Sequence, residues 1–332
     1  MRRTAPAALA VLVSMADLLT GCGSSGTDAG AGPTVSTAPG TTAGSAAGTT
    51  ASTAPTAGPT APACPVDPVS VAVTVNQWAD IAKSLGGACA DTTAIITSSS
   101  VDPHDYEPTP QDVSTFTKAQ LVVENGAGYD DWAGRALATA RTSPAVVDAA
   151  AAAGVKVGDN PHVFYSPTFV AIAADAITAE LTKLRPGAAS YFTAANTAWK
   201  ASLKPFDDEL ARVKAASSGK TFEATETVAD HLAEAAGLTD VTPAGYRDLG
   251  DGDEPTPGDI SAFGSALRSG RADVLFYNTQ TQGAVPDQLR GIAEQAGRPV
   301  IDVTETVPEQ FTSYQEWQLS VLRQIAGALG VN

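Results

Sequence analysis

Val101-Asp102-Pro103-His104-Asp105-Tyr106-Glu107-Pro108-Thr109-Pro110 stands between an apolar run at 93–98 and a helix-like run at 110–119. Pro103, Pro108 and Pro110 fix φ and remove main-chain donors, so the stretch is expected to be an ordered loop and not a helix. Strand, loop, helix is the unit that repeats along α/β chains. His104 is one of only three histidines in the chain. A neutral imidazole can ligate a metal, and Asp102, Asp105 and Glu107 surround it. Taken alone, the stretch reads equally well as an acidic turn.

Outward from it, short β-rich runs alternate with helical runs. Strands are expected at 69–75, 93–97, 121–124 and 146–148, and helices at 77–85, 111–119 and 130–140. A further helix starts near Pro167. From Pro186 the pattern changes, and 187–216 reads as one long helical stretch that Pro205 kinks or divides. Alternation then resumes. Strands are expected at 221–224, 273–277 and 300–303, and helices at 228–236, 259–269, 287–296 and 313–329. The fold class is therefore α/β: two similar lobes with parallel-type sheets, 64–185 and 217–332, joined by a long linking helix, 186–216.

The chemical candidates fall at like places in this scheme. His104 follows the strand at 93–97, and His162 precedes the helix at Pro167. Glu226 follows the strand at 221–224, and Glu305 follows the strand at 300–303. Open α/β sheets bind ligands at the carboxyl ends of their strands. Two lobes facing each other by those ends would bring two groups from each into one cleft. Two imidazoles and two carboxylates suit Zn²⁺ or Mn²⁺ and disfavour Cu(I). A closed set of four argues for holding a metal, because a catalytic zinc keeps a position open for water.

The motifs carry a resemblance as well. VDPHDYEPTP (101–110) resembles the DPHxYEPTP motif, and NPHVFYSP (160–167) the NPHxWxDP motif, of zinc/manganese-type substrate-binding lipoproteins of bacterial ABC importers. LVVENGAGYDDW (121–132) is similar to that family's following strand, turn and aromatic helix start. ETVADHLAEAAGL (226–238) and Thr304-Glu305-Thr306 resemble its segments bearing the third and fourth ligands. The resemblance implies two lobes around a rigid helix, with one divalent ion, Zn²⁺ or Mn²⁺, held in the cleft by His104, His162, Glu226 and Glu305. It implies an extracytoplasmic receptor that delivers the ion to a membrane ABC permease, and no enzymatic activity. Ser166 departs from the family's usual Asp, which would alter support near His162. Asn278 stands where relatives often carry Glu. Glu226 replaces a frequent His, and Glu305 a frequent Asp.

Arg2 and Arg3 precede a mostly apolar stretch that ends Leu19-Thr20-Gly21-Cys22, which resembles a lipoprotein signal, 1–22. That resemblance implies lipidation of Cys22 and anchoring to the outer face of the cell membrane. Residues 23–63 contain only Gly, Ser, Thr, Ala, Pro, Val, Cys-free and aromatic-free, with one Asp. Such a segment cannot offset its ordering entropy and reads as a disordered tether with a reach of roughly 35 Å. The formal charge of −16 falls wholly on 64–332, since Arg2 and Arg3 cancel Asp17 and Asp28. An acidic body of this kind argues against nucleic acid as a partner. Cys64 and Cys89 remain, and an exported context favours a disulfide between them over a zinc site. The expected state is a monomer.

The remaining candidates read blandly. His231 lies about 140° around a helix from Glu226, so the two should not share a site. It reads as a surface or capping residue, and as the reserve ligand should Glu226 not serve. Gly250–Gly258 is an acidic turn without the spaced ligands of a calcium loop. Trp78, Trp132, Trp199 and Trp317 fall on helices as packing residues. Two further functions stay open at this point, an envelope metallohydrolase and a metal-stabilised adhesin or structural lipoprotein.

Overall fold

The computed structural model describes residues 63–140, 142–249, 254–281 and 283–331. The signal, Cys22, the tether as far as residue 62 and residues 250–253 of the acidic turn lie outside the described residues.

The first half contains β1 (Val69–Val75), α1 (Asn76–Gly86), β2 (Ala90–Ile96), α2 (Pro110–Lys118), β3 (Leu121–Glu124), α3 (Asp131–Thr139), β4 (Ala145–Asp148), α4 (Ala149–Ala152) and α5 (Pro167–Leu184). Two helices follow, α6 (Ala189–Ser202) and α7 (Lys204–Ala216). The second half contains β5 (Thr221–Ala224), α8 (Asp230–Ala235), β6 (Thr239–Asp240), α9 (Ala244–Arg247), α10 (Pro257–Ser269), β7 (Val274–Asn278), α11 (Ala284–Gln295), β8 (Val300–Val303) and α12 (Tyr314–Ala328).

The strands form two four-stranded sheets, ordered β2-β1-β3-β4 and β6-β5-β7-β8, with every pairing parallel. Each sheet therefore repeats the same order of second, first, third and fourth strand. β1, β3 and β7 are almost wholly buried, as strands covered on both faces must be. Helix starts carry their own signals. Thr109 and Thr256 close capping boxes with Asp112 and Asp259, and Pro110 and Pro257 occupy the first turns, where a missing N–H costs nothing.

Several expectations shift in detail. β2 starts at Ala90 and not at Thr93, because Ala90 pairs with Val69 at the very start of β1. The long helix is divided. α6 stops at Ser202, Leu203 intervenes, and α7 restarts with Pro205 in its first turn. Pro205 has no N–H to continue the ladder of α6, so a new helix start is where it fits. The short elements α4, β6 and α9 lack the length to leave a periodic signature.

One hydrophobic core runs through both halves, from Val69, Trp78 and Leu121 to Phe222, Phe276, Ile301 and Leu322. A smaller cluster around Tyr246, Phe263, Leu275 and Leu289 lies on the other face of the second sheet. Trp78, Trp132, Trp199 and Trp317 are all buried, as packing residues should be. A disulfide joins Cys64 to Cys89, just ahead of β1 and β2. By loop entropy such a bridge is worth about 3 kcal/mol. Beside it, the Arg185 guanidinium donates to the carbonyls of Asp67 and Pro68. No helix among the described residues is long and apolar enough to cross a membrane.

Candidate metal centre

His104 sits in the loop between β2 and α2. Its backbone N–H donates to Asp102 Oδ1 at 2.9 Å, and the neighbouring Pro103 carbonyl accepts from Trp132 Nε1 at 3.0 Å. Trp132 is buried, so the loop hangs from the core. Downstream, Asp112 accepts from the Tyr106 hydroxyl as well as from Thr109. Asp102 thus shapes the loop, while Asp105 and Glu107 are exposed. Burial, then the charge of Glu305, raises the Asp102 carboxyl.

His162 lies between α4 and α5. Asn160 Oδ1 accepts from its backbone N–H at 3.0 Å and lies 2.8 Å from its Nδ1. An amide oxygen can only accept, so Nδ1 carries a proton and Nε2 is the nitrogen turned toward the site. The loop is held further by Asn125, whose Nδ2 donates to the Pro161 carbonyl at 2.8 Å. Asn125 heads a tight turn in which Gly126 is required, since a Cβ there would collide with the Asp148 carboxylate. Ser166 caps α5 by accepting from Phe169 N, so the support of His162 comes from Asn160 and not from that position.

Glu226 follows β5 in extended backbone just before a short 3-10 turn. Its Oε2 accepts from Asn278 Nδ2 at 2.7 Å and from the Thr281 hydroxyl. Burial, then the charge of Glu305, pushes the Glu226 carboxyl up.

Glu305 follows β8 and its side chain is fully buried. Its backbone N–H donates to Gln280 Oε1 at 2.6 Å. Its carbonyl accepts from Gln77 Nε2 at 2.9 Å and from Tyr129 Oη at 3.0 Å. Oε1 accepts from Asn278 Nδ2 at 2.9 Å, and Oε2 lies 3.2 Å from His104 Nε2 and 3.5 Å from His162 Nε2. Burial works against this carboxylate, but the two imidazoles outweigh it and hold Glu305 well below the usual range.

His104, His162, Glu226 and Glu305 thus come together, each offering an atom within 4.8 Å of the others. The donors fit a divalent cation. Two nitrogens and two carboxylates converge in a buried place, and two anionic side chains so close need a positive charge between them. His231 stands apart, as expected from its angle around the helix. It is half-buried, however. Its Nε2 lies 3.3 Å from the Asn160 carbonyl and its ring meets Phe169 edge-on.

Sequence reasoning missed most of the struts. Asn278 was visible only as a departure, and Asn160 only as part of a motif. Tyr129 was visible only as part of the motif at 121–132, and Gln77, Gln280 and Thr281 carry no local signal, because each acts on a residue far away in the chain.

The family model described as zinc-uptake complex component A, periplasmic, matches residues 71–328. The chain belongs to that family. Its members are metal-binding solute receptors of ABC importers and not enzymes. Among curated relatives, the high-affinity zinc uptake system protein ZnuA of Bacillus subtilis is 24% identical over 67% of this chain and 75% of its own length. The manganese ABC transporter substrate-binding lipoprotein PsaA of Streptococcus mitis is 23% identical over 73% of this chain and 82% of its own. The solved periplasmic zinc binding protein TroA of Treponema pallidum superposes with a TM-score of 0.66 at 18% identity, covering 79% of this chain and 99% of that one. At that identity the superposition shows the shared fold.

Proposed function

We propose that this chain is the lipid-anchored, monomeric capture component of a bacterial metal importer, with His104, His162, Glu226 and Glu305 as the ligands of one Zn²⁺ or Mn²⁺ ion. The observation that carries the reading is the convergence of those four side chains, from four separate loops, within 4.8 Å. Lipidation at Cys22 would hold the protein outside the cell membrane, with 23–63 as tether, 64–185 and 217–332 as lobes and 186–216 between them. The loaded receptor would then dock on its permease.

The two carboxylates neutralise the ion, and the two imidazoles, each neutral when coordinating, complete the shell. The struts are uneven. Glu305 is tied through its backbone to Gln77 and Tyr129 of the first half. The segment of Glu226 is tied across by the Asn160 amide, which donates to the Thr227 carbonyl at 2.8 Å. Release by withdrawal of Glu226 would break one such tie to the first half, where withdrawal of Glu305 would break two. A hydrolase would keep an open ligand position, and here four donors close the set.

The test is metal analysis of the purified protein, with competition titration of the metal-free form by Zn²⁺ and by Mn²⁺. Each ligand-to-Ala variant is run beside it. The expected result is one ion per chain, with loss of tight binding in all four variants. A stoichiometry of zero for both metals would refute the reading.

A further inference from the structure

Asn278, the last residue of β7, is buried at 1% exposure and donates to both carboxylates of the site. Its Nδ2 reaches Glu226 Oε2 at 2.7 Å and Glu305 Oε1 at 2.9 Å, and it lies 2.9 Å from Thr281 Oγ1. The amide cannot turn away easily. Its Oδ1 accepts from Gln280 N at 3.0 Å, and its own backbone N–H donates to Thr225 Oγ1 at 3.2 Å. The Thr281 hydroxyl adds a second bond to Glu226 Oε2.

The consequence is a count of oxygens. Glu305 turns Oε2 to the imidazole side, while its Oε1 is turned to the Asn278 amide. Glu226 accepts both of its hydrogen bonds at Oε2, which leaves Oε1 as its other oxygen. A carboxylate can give a metal one oxygen or two. Two nitrogens with two single oxygens make a shell of four, and two chelating carboxylates would make it six. Zn²⁺ is at home with four N/O ligands in a tetrahedron, whereas Mn²⁺ favours a larger, oxygen-rich, octahedral shell. Water could enter only past the partly buried His104 and Glu226, because the side chains of His162 and Glu305 are 3% and 0% exposed.

We propose that Asn278, assisted by Thr281, confines each ligand carboxylate to one oxygen and thereby sets this site for a four-coordinate ion, Zn²⁺ ahead of Mn²⁺. The proposal rests on the reading of the four residues as ligands. Asn278 touches no metal itself; it is a positioning residue that acts through Glu226 and Glu305.

The test uses wild type, Asn278→Ala and Thr281→Val, stripped of metal and titrated with Zn²⁺ alone and Mn²⁺ alone against a chelator. X-ray absorption of the zinc-loaded wild type counts the shell. The expected results are four N/O neighbours around zinc, and a Zn²⁺/Mn²⁺ affinity ratio that falls at least about tenfold in Asn278→Ala. Thr281→Val should shift the ratio the same way by less. A residue that merely stabilised the fold would weaken both metals together and leave the ratio alone. The proposal is overturned by a zinc shell of five or six, or by an unchanged ratio in a folded Asn278→Ala protein. Where Asn278→Ala does not fold, the ratio in Thr281→Val decides. If wild type binds neither metal, it is the ligand assignment that has failed, and that outcome is distinct from a ratio that does not move.

Discussion

The Tyr129 hydroxyl, at the carboxyl end of the first sheet, donates to the main-chain carbonyl of Glu305 at 3.0 Å. Glu305 follows a strand of the second sheet, yet Gln77 donates to the same carbonyl. The peptide that carries the last carboxylate is therefore fixed to the half of the molecule that carries both histidines. Asn76 extends this by exchanging hydrogen bonds with both the N–H and the carbonyl of Val307.

Tyr129→Phe removes one of two bonds to a buried carbonyl and keeps the ring, which packs edge-on against His104 at 4.7 Å between centroids. The expected cost is about 1 kcal/mol of metal-free stability, read by urea unfolding. No change in the unfolding midpoint would mean that this bond contributes nothing in solution.

Glu305→Ala should weaken Zn²⁺ and Mn²⁺ alike by more than about 100-fold, beyond what loss of an outer support costs. Its carboxylate is held ionised by the imidazoles that share the site. Competition titration checks this, and a loss under about tenfold would count against Glu305 as a ligand.

Asn160→Ala frees the His162 ring to turn and lets go of the Thr227 carbonyl. Metal affinity should fall about 10- to 100-fold. The melting temperature of the metal-free form should move much less than the affinity does. Equal effects on both would make Asn160 a folding residue only.

Glu223 on β5 is fully buried, and burial raises its carboxyl to about 8 against the charge of Arg271, whose Nη2 lies 3.8 Å away. A carboxyl raised in the folded state keeps a proton that the unfolded chain has lost. Its contribution is thus full below its ordinary value of 4.5 and is lost as pH rises toward about 8. Glu124 and Asp230, raised to about 7 and about 6, act in the same sense. The metal-free protein should melt lower at about pH 9 than at about pH 5, and Glu223→Gln should flatten that slope. An identical slope in the variant would remove Glu223 from the account.

Metal removal should leave a cooperative melt, because the hydrophobic core runs through both halves without using the site. Saturating metal at 100 times its Kd should add about 2.7 kcal/mol. A chain that unfolds on chelation would instead be one that metal holds together.

How far the sequence reached can be argued residue by residue. The strands at 69–75 and 121–124 fall where the short apolar runs put them, since parallel strands buried on both faces are nearly continuous apolar runs, and those at 221–224 and 300–303 fall in place although Glu223 and Asp302 interrupt theirs. The first residues of β2, Ala90, Asp91 and Thr92, are polar enough to read as loop, and only pairing with β1 makes them strand. His104 and His162 stood out because prolines flank them and histidine is scarce. Gln77 and Gln280 did not, because a side chain bonded to a distant main chain leaves no pattern in its own neighbourhood.

The disulfide between Cys64 and Cys89, with Arg185 gripping the carbonyls of Asp67 and Pro68, closes the amino ends of β1 and β2. The metal-ligand candidates lie at the other ends of the strands, roughly 20 Å away along β1. Any pull on the chain ahead of Cys64 is thus shunted into a covalent link and one arginine before it reaches β1. The covalent staple and His104 thus stand at opposite ends of the first sheet, so a disturbance at Cys64 has the whole length of β1 and β2 to cross before it meets an imidazole.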